Sequence, residues 1–212
     1  LGRVNTGSVA QRLADTPGVA RTILDAARAA RGMPGADPRA MSHSWLFTGP
    51  PGSGRSLAAL DFAAALMCTD PEEPGCGRCE ACQAVLDAKQ HTDLVLVDPQ
   101  EVIIPVDTVR EVIGRAASLP TVAPWRVVIF NNADRLNNNG ANALLKTVEE
   151  PPARTVIIMC APSDAPEDFS QTLRSRCRHL YIPSPSVESI TAQLVSEGAS
   201  DHDAHLAALT SL

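Results

Sequence analysis

Residues 49–56 read Gly-Pro-Pro-Gly-Ser-Gly-Arg-Ser, and they follow the short apolar run Trp45–Thr48. The segment fits the phosphate-loop pattern G-x-x-x-x-G-K-[ST], except that Arg55 stands where the pattern has lysine. Glycines in such a loop let consecutive backbone N–H groups surround an anion at the start of a helix. Because an Ala/Leu-rich helical segment follows at 56–67, we interpret the stretch as a phosphate-binding loop and not as a chance turn. The candidate binding residues are Gly49, Gly52, Gly54, Arg55 and Ser56.

Two departures from the pattern argue against ATP hydrolysis by this loop. Arg55 is a planar fork and does not replace the compact lysine ammonium that reaches the phosphates. The apolar strand predicted over 126–130 ends at Asn131-Asn132, where an ATPase needs acids to bind Mg²⁺ and to polarise water. Amides bind magnesium less well than carboxylates and accept no proton from water. The sequence therefore predicts no intrinsic ATPase activity and makes ATP binding doubtful. Asp134 could take the place of the missing acids, but we favour the interpretation that it is a structural aspartate in a turn.

Strand and helix patterns alternate along most of the chain. Continuous apolar runs predict strands over 45–48, 94–97, 126–130, 155–160 and 178–182. Helical patterns cover 9–31, with a break near Pro17, and 56–67, a short segment ending near Lys89, 106–118 and 140–150. This alternation indicates an α/β fold, with helices on both faces of a parallel sheet.

The pattern changes after Pro183. Two helices are predicted there, over 186–197 and 201–209, with no strand between them. We therefore expect an α/β core over residues 1–183 and a small helical domain that begins within 184–212.

Composition and charge exclude several classes of protein. The chain has 212 residues, with 18 Lys+Arg against 24 Asp+Glu for a net charge of −6, and only 3% aromatic residues. An acidic chain with few aromatics is unsuited to bind DNA on its own, which disfavours a stand-alone nucleic-acid-binding zinc module. Because the sequence lacks both an apolar run of about 18 residues and a signal segment, we expect a cytoplasmic protein without a membrane span.

Four of the six cysteines fall within one short insertion, residues 68–82. Four soft ligands with no open position suit a structural tetrahedral Zn²⁺ site, whereas the alternative is a group of free thiols. The candidate metal ligands are Cys68, Cys76, Cys79 and Cys82. Cys160 and Cys177 lie outside the insertion, and we predict that they are packed thiols.

These features, taken with several longer motifs, resemble the clamp-loader branch of bacterial AAA+ proteins. The cysteine insertion after the phosphate-loop helix carries part of the resemblance. The other matching motifs are His91-Thr-Asp93-Leu, Ile104-Pro-Val-Asp107-x-x-Arg110, the stretch Ala141–Pro152 (ANALLKTVEEPP) and Leu173-Arg-Ser-Arg-Cys177. They occur in order between about residues 40 and 183.

The resemblance implies an AAA+ α/β core followed by a helical lid, and a C-terminal collar domain that this chain lacks. It implies a place in a ring of five subunits that uses ATP to open the sliding clamp and to place it on primed DNA. The absence of the phosphate-loop lysine and of both acids is similar to delta-prime subunits of DNA polymerase III. These are non-catalytic stators, and their partners are the gamma/tau and delta subunits.

The resemblance also implies a role for Arg176. In this family the arginine of the Ser-Arg-Cys motif reaches into the ATP site of the adjacent motor subunit. An ordinary basic turn formed by Arg174, Arg176 and Arg178 is the alternative. For the chain as a whole, the alternative is an active gamma/tau-like ATPase with a substituted phosphate loop.

Overall fold

The computed structural model describes residues 7–196 and positions 200, 203 and 207. Its strands are β1 (Ser44–Thr48), β2 (Leu94–Val97), β3 (Arg126–Phe130), β4 (Thr155–Ala161) and β5 (Arg178–Tyr181). Its helices are α1 (Val9–Arg12), α2 (Pro17–Ala30), α3 (Arg55–Met67), α4 (Glu80–Leu86), α5 (Val106–Ala116), α6 (Asn138–Glu149), α7 (Gln171–Arg174) and α8 (Val187–Ser196). Short 3-10 turns cover Pro38–Ala40 and Ala133–Arg135.

The five strands form one sheet in the order β2-β3-β4-β1-β5, and every pair in it is parallel. The carboxyl ends of all strands therefore meet at one edge of the sheet and the amino ends at the other. Residues 49–54 leave the carboxyl end of β1, and Asn131 follows the carboxyl end of β3. The topology thus brings the candidate phosphate loop and the two asparagines to the same edge.

Alternating side chains build a core on each face of the sheet, as expected for strands buried on both sides. Trp45 and Phe47 face α1 to α4, whereas Leu46 faces α5 to α7. On the first face, Trp45 packs edge-on against Phe62 of α3 with ring centroids 5.1 Å apart. All four of these side chains are fully buried, so β1 is fixed between two helical layers.

A buried carboxylate fixes the loop between α5 and β3. Asp93, with no exposed surface, accepts hydrogen bonds from the backbone N–H groups of Thr121 (2.7 Å), Val122 (2.7 Å) and Ala123 (2.8 Å). It also pairs with Arg126 Nη2 at 3.0 Å. Burial raises the pKa of Asp93, but these hydrogen bonds outweigh it and lower the pKa to about 2.

The parallel sheet with flanking helices confirms the predicted α/β class, and the predicted strands agree with the observed ones to within one residue at each end. The segment 9–31 forms two helices, because Pro17 begins α2 and cannot continue α1. Of the two helices predicted after Pro183, the one over 186–197 is α8, whereas the one over 201–209 lies outside the described residues except for positions 203 and 207. Cys160 and Cys177 are buried as predicted. Among the described helices, none is both long enough and apolar enough to cross a bilayer.

Candidate functional site

The loop between β1 and α3 has the backbone that its glycines predict. Gly52 and Gly54 have φ angles of +83° and +80°, in the left-handed region that favours glycine. A Cβ on Gly49 would collide with the carbonyl oxygen of Ile182 and with Ser53 Oγ. Three positions therefore require glycine, and α3 begins directly after Gly54, so its first N–H groups face the loop.

Arg55 folds back onto the loop that carries it. Its Nη1 donates hydrogen bonds to the carbonyl oxygens of Gly49 (2.8 Å) and Pro50 (3.0 Å). Its Nε is buried and has no hydrogen-bond partner among the described residues. The Arg55 guanidinium is thus bonded to carbonyl groups of its own loop. Ser56 is the next residue and lies in the first turn of α3.

The carboxyl end of β3 presents amides instead of acids. The backbone N–H of Asn131 donates to the carbonyl oxygen of Val97 at 2.8 Å. Its side-chain Oδ1 is buried and makes no hydrogen bond within the described part of the chain. Asn132 has a φ angle of +52° and leads into the 3-10 turn, on which Asp134 is exposed. A neutral oxygen therefore occupies the place where an ATPase would have a magnesium-binding carboxylate.

A cleft of about 360 Å³ opens beside the phosphate loop, between α1, α3 and the segment after β5. An ion pair crosses its floor, with Arg12 Nε 2.5 Å from Oδ1 of Asp61. Burial raises the pKa of Asp61, and the Arg12 guanidinium opposes that shift. This pair attaches the short helix α1 to α3, which carries the phosphate loop at its start. The sequence pattern did not indicate the pair, because its members are 49 residues apart.

The four clustered cysteines converge on one point. Their sulfur atoms all lie within 4.8 Å of one another, and Cys68 Sγ is 3.9 Å from Cys79 Sγ. Tetrahedral Zn–S bonds of about 2.3 Å place sulfurs roughly 3.8 Å apart. The backbone N–H of Cys79 donates to Cys76 Sγ (3.4 Å), and that of Cys82 donates to Cys79 Sγ (3.5 Å). The group could therefore hold a metal ion, in an arrangement that already stabilises negative charge on sulfur.

The charge on the sulfurs is shared unevenly. A hydrogen bond with Cys82 lowers the pKa of the Cys68 thiol to about 4, and the same contact raises the pKa of Cys82. Metal binding requires thiolates, so this packing of sulfurs favours release of the first proton.

The cysteine insertion packs against the start of the described chain. Val9 N–H donates to the carbonyl oxygen of Gly75 at 2.8 Å. A Cβ on Gly75 would collide with the Val9 side chain, and one on Gly77 would collide with the carbonyl oxygen of Gly7. The insertion thus holds the amino end of α1, whose other end carries Arg12 in the cleft beside the phosphate loop.

Arg176 lies far from its own phosphate loop. It stands on the turn between α7 and the amino end of β5, and Arg178 just after it is paired with Trp45 near the start of β1. The phosphate loop follows the other end of β1, so at about 3.3 Å per residue the two features are separated by roughly 15–20 Å. The Arg176 side chain is 37% exposed at this opposite edge. Its Nε donates to Glu149 Oε1 at 2.6 Å.

Comparison with known proteins identifies the family to which the chain is related. The family described as DNA polymerase III, delta subunit, matches residues 36–186. The chain is 36% identical over 165 residues to DNA polymerase III subunit delta' of Pseudomonas aeruginosa, covering 74% of this chain and 49% of that protein. It is 35% identical over 170 residues to subunit delta' of Escherichia coli, covering 79% and 50% respectively. The chain therefore spans about half the length of these curated relatives.

Three further comparisons relate the chain to one sequence relative and two solved structures. It is 33% identical over 166 residues to DNA polymerase III subunit gamma/tau of Mycobacterium tuberculosis, covering 76% of this chain and 28% of that one. A gamma subunit-related protein of Thermotoga maritima shares the fold at 20% identity, with a TM-score of 0.50 over 73% of this chain and 47% of that chain. The Thermotoga maritima RuvB branch migration motor superposes with a TM-score of 0.52 at 16% identity, covering 91% and 55%.

These neighbours confirm the AAA+ type of P-loop fold, and the matches to subunit delta' confirm the resemblance carried by the motifs. The chain belongs to the DNA polymerase III delta subunit family, among the clamp-loader subunits of the delta-prime type.

Proposed function

We propose that the chain is the AAA+ part of a non-catalytic clamp-loader stator that supplies Arg176 to the ATP site of a neighbouring motor subunit. The observation that carries this proposal is the placement of Arg176 and the phosphate loop at opposite edges of one parallel sheet. An arginine so placed cannot serve its own pocket, but its exposed guanidinium can enter the pocket of an adjacent protomer. An always-charged guanidinium there neutralises charge on the transferring phosphoryl group.

The chain's own pocket supports the non-catalytic half of the proposal. Arg55 bonds to the loop carbonyls, and β3 ends in amides, so neither the lysine nor the acids of an ATPase are present. The competing function is an active gamma/tau-like ATPase that uses Arg55 and Asp134. Its support is the 33% identity to a gamma/tau subunit. Asp134, however, is exposed on the turn beyond β3 and does not occupy the strand end.

The proposed setting follows from the family. The partners are the gamma/tau and delta subunits, with the sliding clamp and primed DNA engaged through the complex. The proposed place of action is the cytoplasm, where bacterial replication occurs. In this proposal residues 1–183 form the AAA+ core, with a zinc knuckle at 68–82, and 184–212 belong to the helical lid.

Two ATPase measurements test the proposal together. The isolated chain should show no turnover that depends on Arg55, and a loader assembled with the full-length subunit carrying Arg176→Ala should hydrolyse ATP more slowly than the unmodified loader. Turnover by the isolated chain that is abolished by Arg55→Ala would instead support the gamma/tau-like function. An unchanged rate of ATP hydrolysis in the loader that carries Arg176→Ala would contradict the role proposed for Arg176.

We further propose that the four clustered cysteines bind one structural zinc ion. The closed set of four thiolates leaves no position for a substrate, so the metal would supply folding energy and no catalysis. Metal analysis of the purified protein should find about one zinc per chain, and Cys79→Ser should release it because three thiolates bind more weakly. Cys177→Ser is the matched control, since that buried thiol lies outside the cluster. Equal zinc contents in the two variants would reject the assignment.

Removal of the metal should loosen α1. The insertion touches Gly7 and Val9 directly, so chelation is expected to raise amide deuterium uptake over residues 7–16. Helix α5 is the internal reference, because it packs on the opposite face of the sheet. A rise of the same size in both segments would indicate general unfolding and would contradict a local coupling between the insertion and α1.

A further inference from the structure

We propose that Glu149 is a positioning residue for Arg176, and that it orients the guanidinium for the neighbouring subunit. The inference rests on the proposed function of Arg176. Glu149 and Arg176 belong to different elements, since Glu149 is the last residue of α6 and Arg176 stands on the turn before β5. The two are 27 residues apart in the chain.

Three hydrogen bonds hold the guanidinium at two of its three nitrogens. Nε donates to Glu149 Oε1 at 2.6 Å, and Nη1 donates to the carbonyl oxygen of Thr172 at 2.8 Å and to Ser175 Oγ at 3.1 Å. Nη2 makes no hydrogen bond to any described residue. Because the group is planar, fixing Nε and Nη1 also fixes the direction of both Nη2 N–H bonds. The free donors are thus presented in one orientation to whatever approaches this edge of the sheet.

The carboxylate of Glu149 is poorly placed to stabilise its own helix. It ends α6, where the helix dipole disfavours negative charge. Its side chain is 48% exposed, and exposed ion pairs contribute little to folding stability. The contact therefore does little for the fold, but it does join the end of α6 to the turn that carries Arg176.

Orientation is what an arginine acting in trans requires. A free arginine side chain samples many rotamers, and ordering it at the moment of reaction costs entropy. A guanidinium already held at Nε and Nη1 loses less freedom when Nη2 meets a phosphoryl oxygen. Glu149 supplies the one acceptor of the three that carries a charge, so its hydrogen bond joins two ions and is the strongest of them.

The test compares Glu149→Gln with Glu150→Gln in the full-length subunit, each assembled into the clamp loader. Glu150 is the matched control, because it is the next residue, is also exposed and makes no hydrogen bond or ion pair with Arg176. We expect Glu149→Gln to lower kcat for ATP by about tenfold with KM for ATP unchanged, and Glu149→Asp to recover part of the loss. Glu150→Gln should leave both constants unchanged.

The readouts separate orientation from stability and from the proposed function. The thermal midpoints of the two glutamine variants should agree, and the ¹⁵N resonance of Arg176 Nε should shift only in Glu149→Gln. If Arg176→Ala slows the loader but Glu149→Gln does not, the positioning role is overturned and the proposed function stands. If Arg176→Ala has no effect, both are overturned.

Discussion

Loss of the Arg176 guanidinium should slow ATP hydrolysis at the adjacent motor site by about 10³-fold or more, since a guanidinium supplied in trans contributes roughly 10³–10⁵ to such rates. The charge on the transferring phosphoryl group would then face water in place of a fixed cation. The sharpest measurement uses a loader in which the subunit next to Arg176 is the only one able to hydrolyse ATP. Activity of the other motor subunits then cannot mask the loss.

Two further variants identify what Arg176 contributes. Arg176→Lys keeps the charge but not the planar fork, so we expect only partial recovery of the rate. Arg110→Ala is the matched control, because Arg110 is 67% exposed on α5 and pairs with Asp107 in the same helix. A loader that loses as much activity with Arg110→Ala as with Arg176→Ala would show a general surface effect and would contradict the role in trans.

Replacement of Asp93 by asparagine should lower the free energy of unfolding by about 3–5 kcal/mol, the usual effect of breaking a buried ion pair by removing one partner. Arg126, which is also buried, would be left without its carboxylate, and the N–H groups of Thr121, Val122 and Ala123 would lose a charged acceptor. Denaturant unfolding at neutral pH measures the change. Asp107→Asn is the control, because that side chain is 87% exposed, and it should change stability by less than about 0.5 kcal/mol.

The lowered pKa of Asp93 predicts that the stability of the folded chain depends on pH. Its pKa is lowered in the folded chain from 3.8 to about 2, so the unfolded chain binds the proton more readily. The stabilisation is fully present above pH ~4 and is lost as the pH falls from about 4 toward 2, by about 2.5 kcal/mol in all. Asp93→Asn should remove this part of the acid sensitivity. An identical acid-unfolding profile for the variant would contradict the assignment.

Sequence reasoning could predict features that depend on local spacing. The apolar runs at 94–97 and 126–130 indicate buried strands because strands buried on both faces are continuously apolar. The glycines of the phosphate loop and the cysteines of 68–82 were also visible, since each set lies within one short segment. The helix α7 was missed, because four residues are too few to display a helical period.

Contacts between distant segments could not be predicted. Asp93 belongs to a motif visible in the sequence, but its role depends on N–H groups 28 to 30 residues away. Likewise, the packing of Gly77 on Gly7 depends on where the cysteine insertion folds back, and no periodicity encodes that. Such contacts depend on tertiary packing, which a local pattern does not specify.

The phosphate loop and Arg176 lie at opposite ends of the parallel strands. One end of the molecule, the head, therefore carries the pocket, and the other end, the tail, carries the arginine. Two copies that met end to end about a twofold axis would bring like ends together, so neither arginine would meet a pocket. Successive head-to-tail contacts instead join the arginine end of each copy to the pocket end of the next, and such contacts generate rings or open helices. If its own pocket is inert, as proposed, a ring that contained this chain would include one position at which no ATP is hydrolysed.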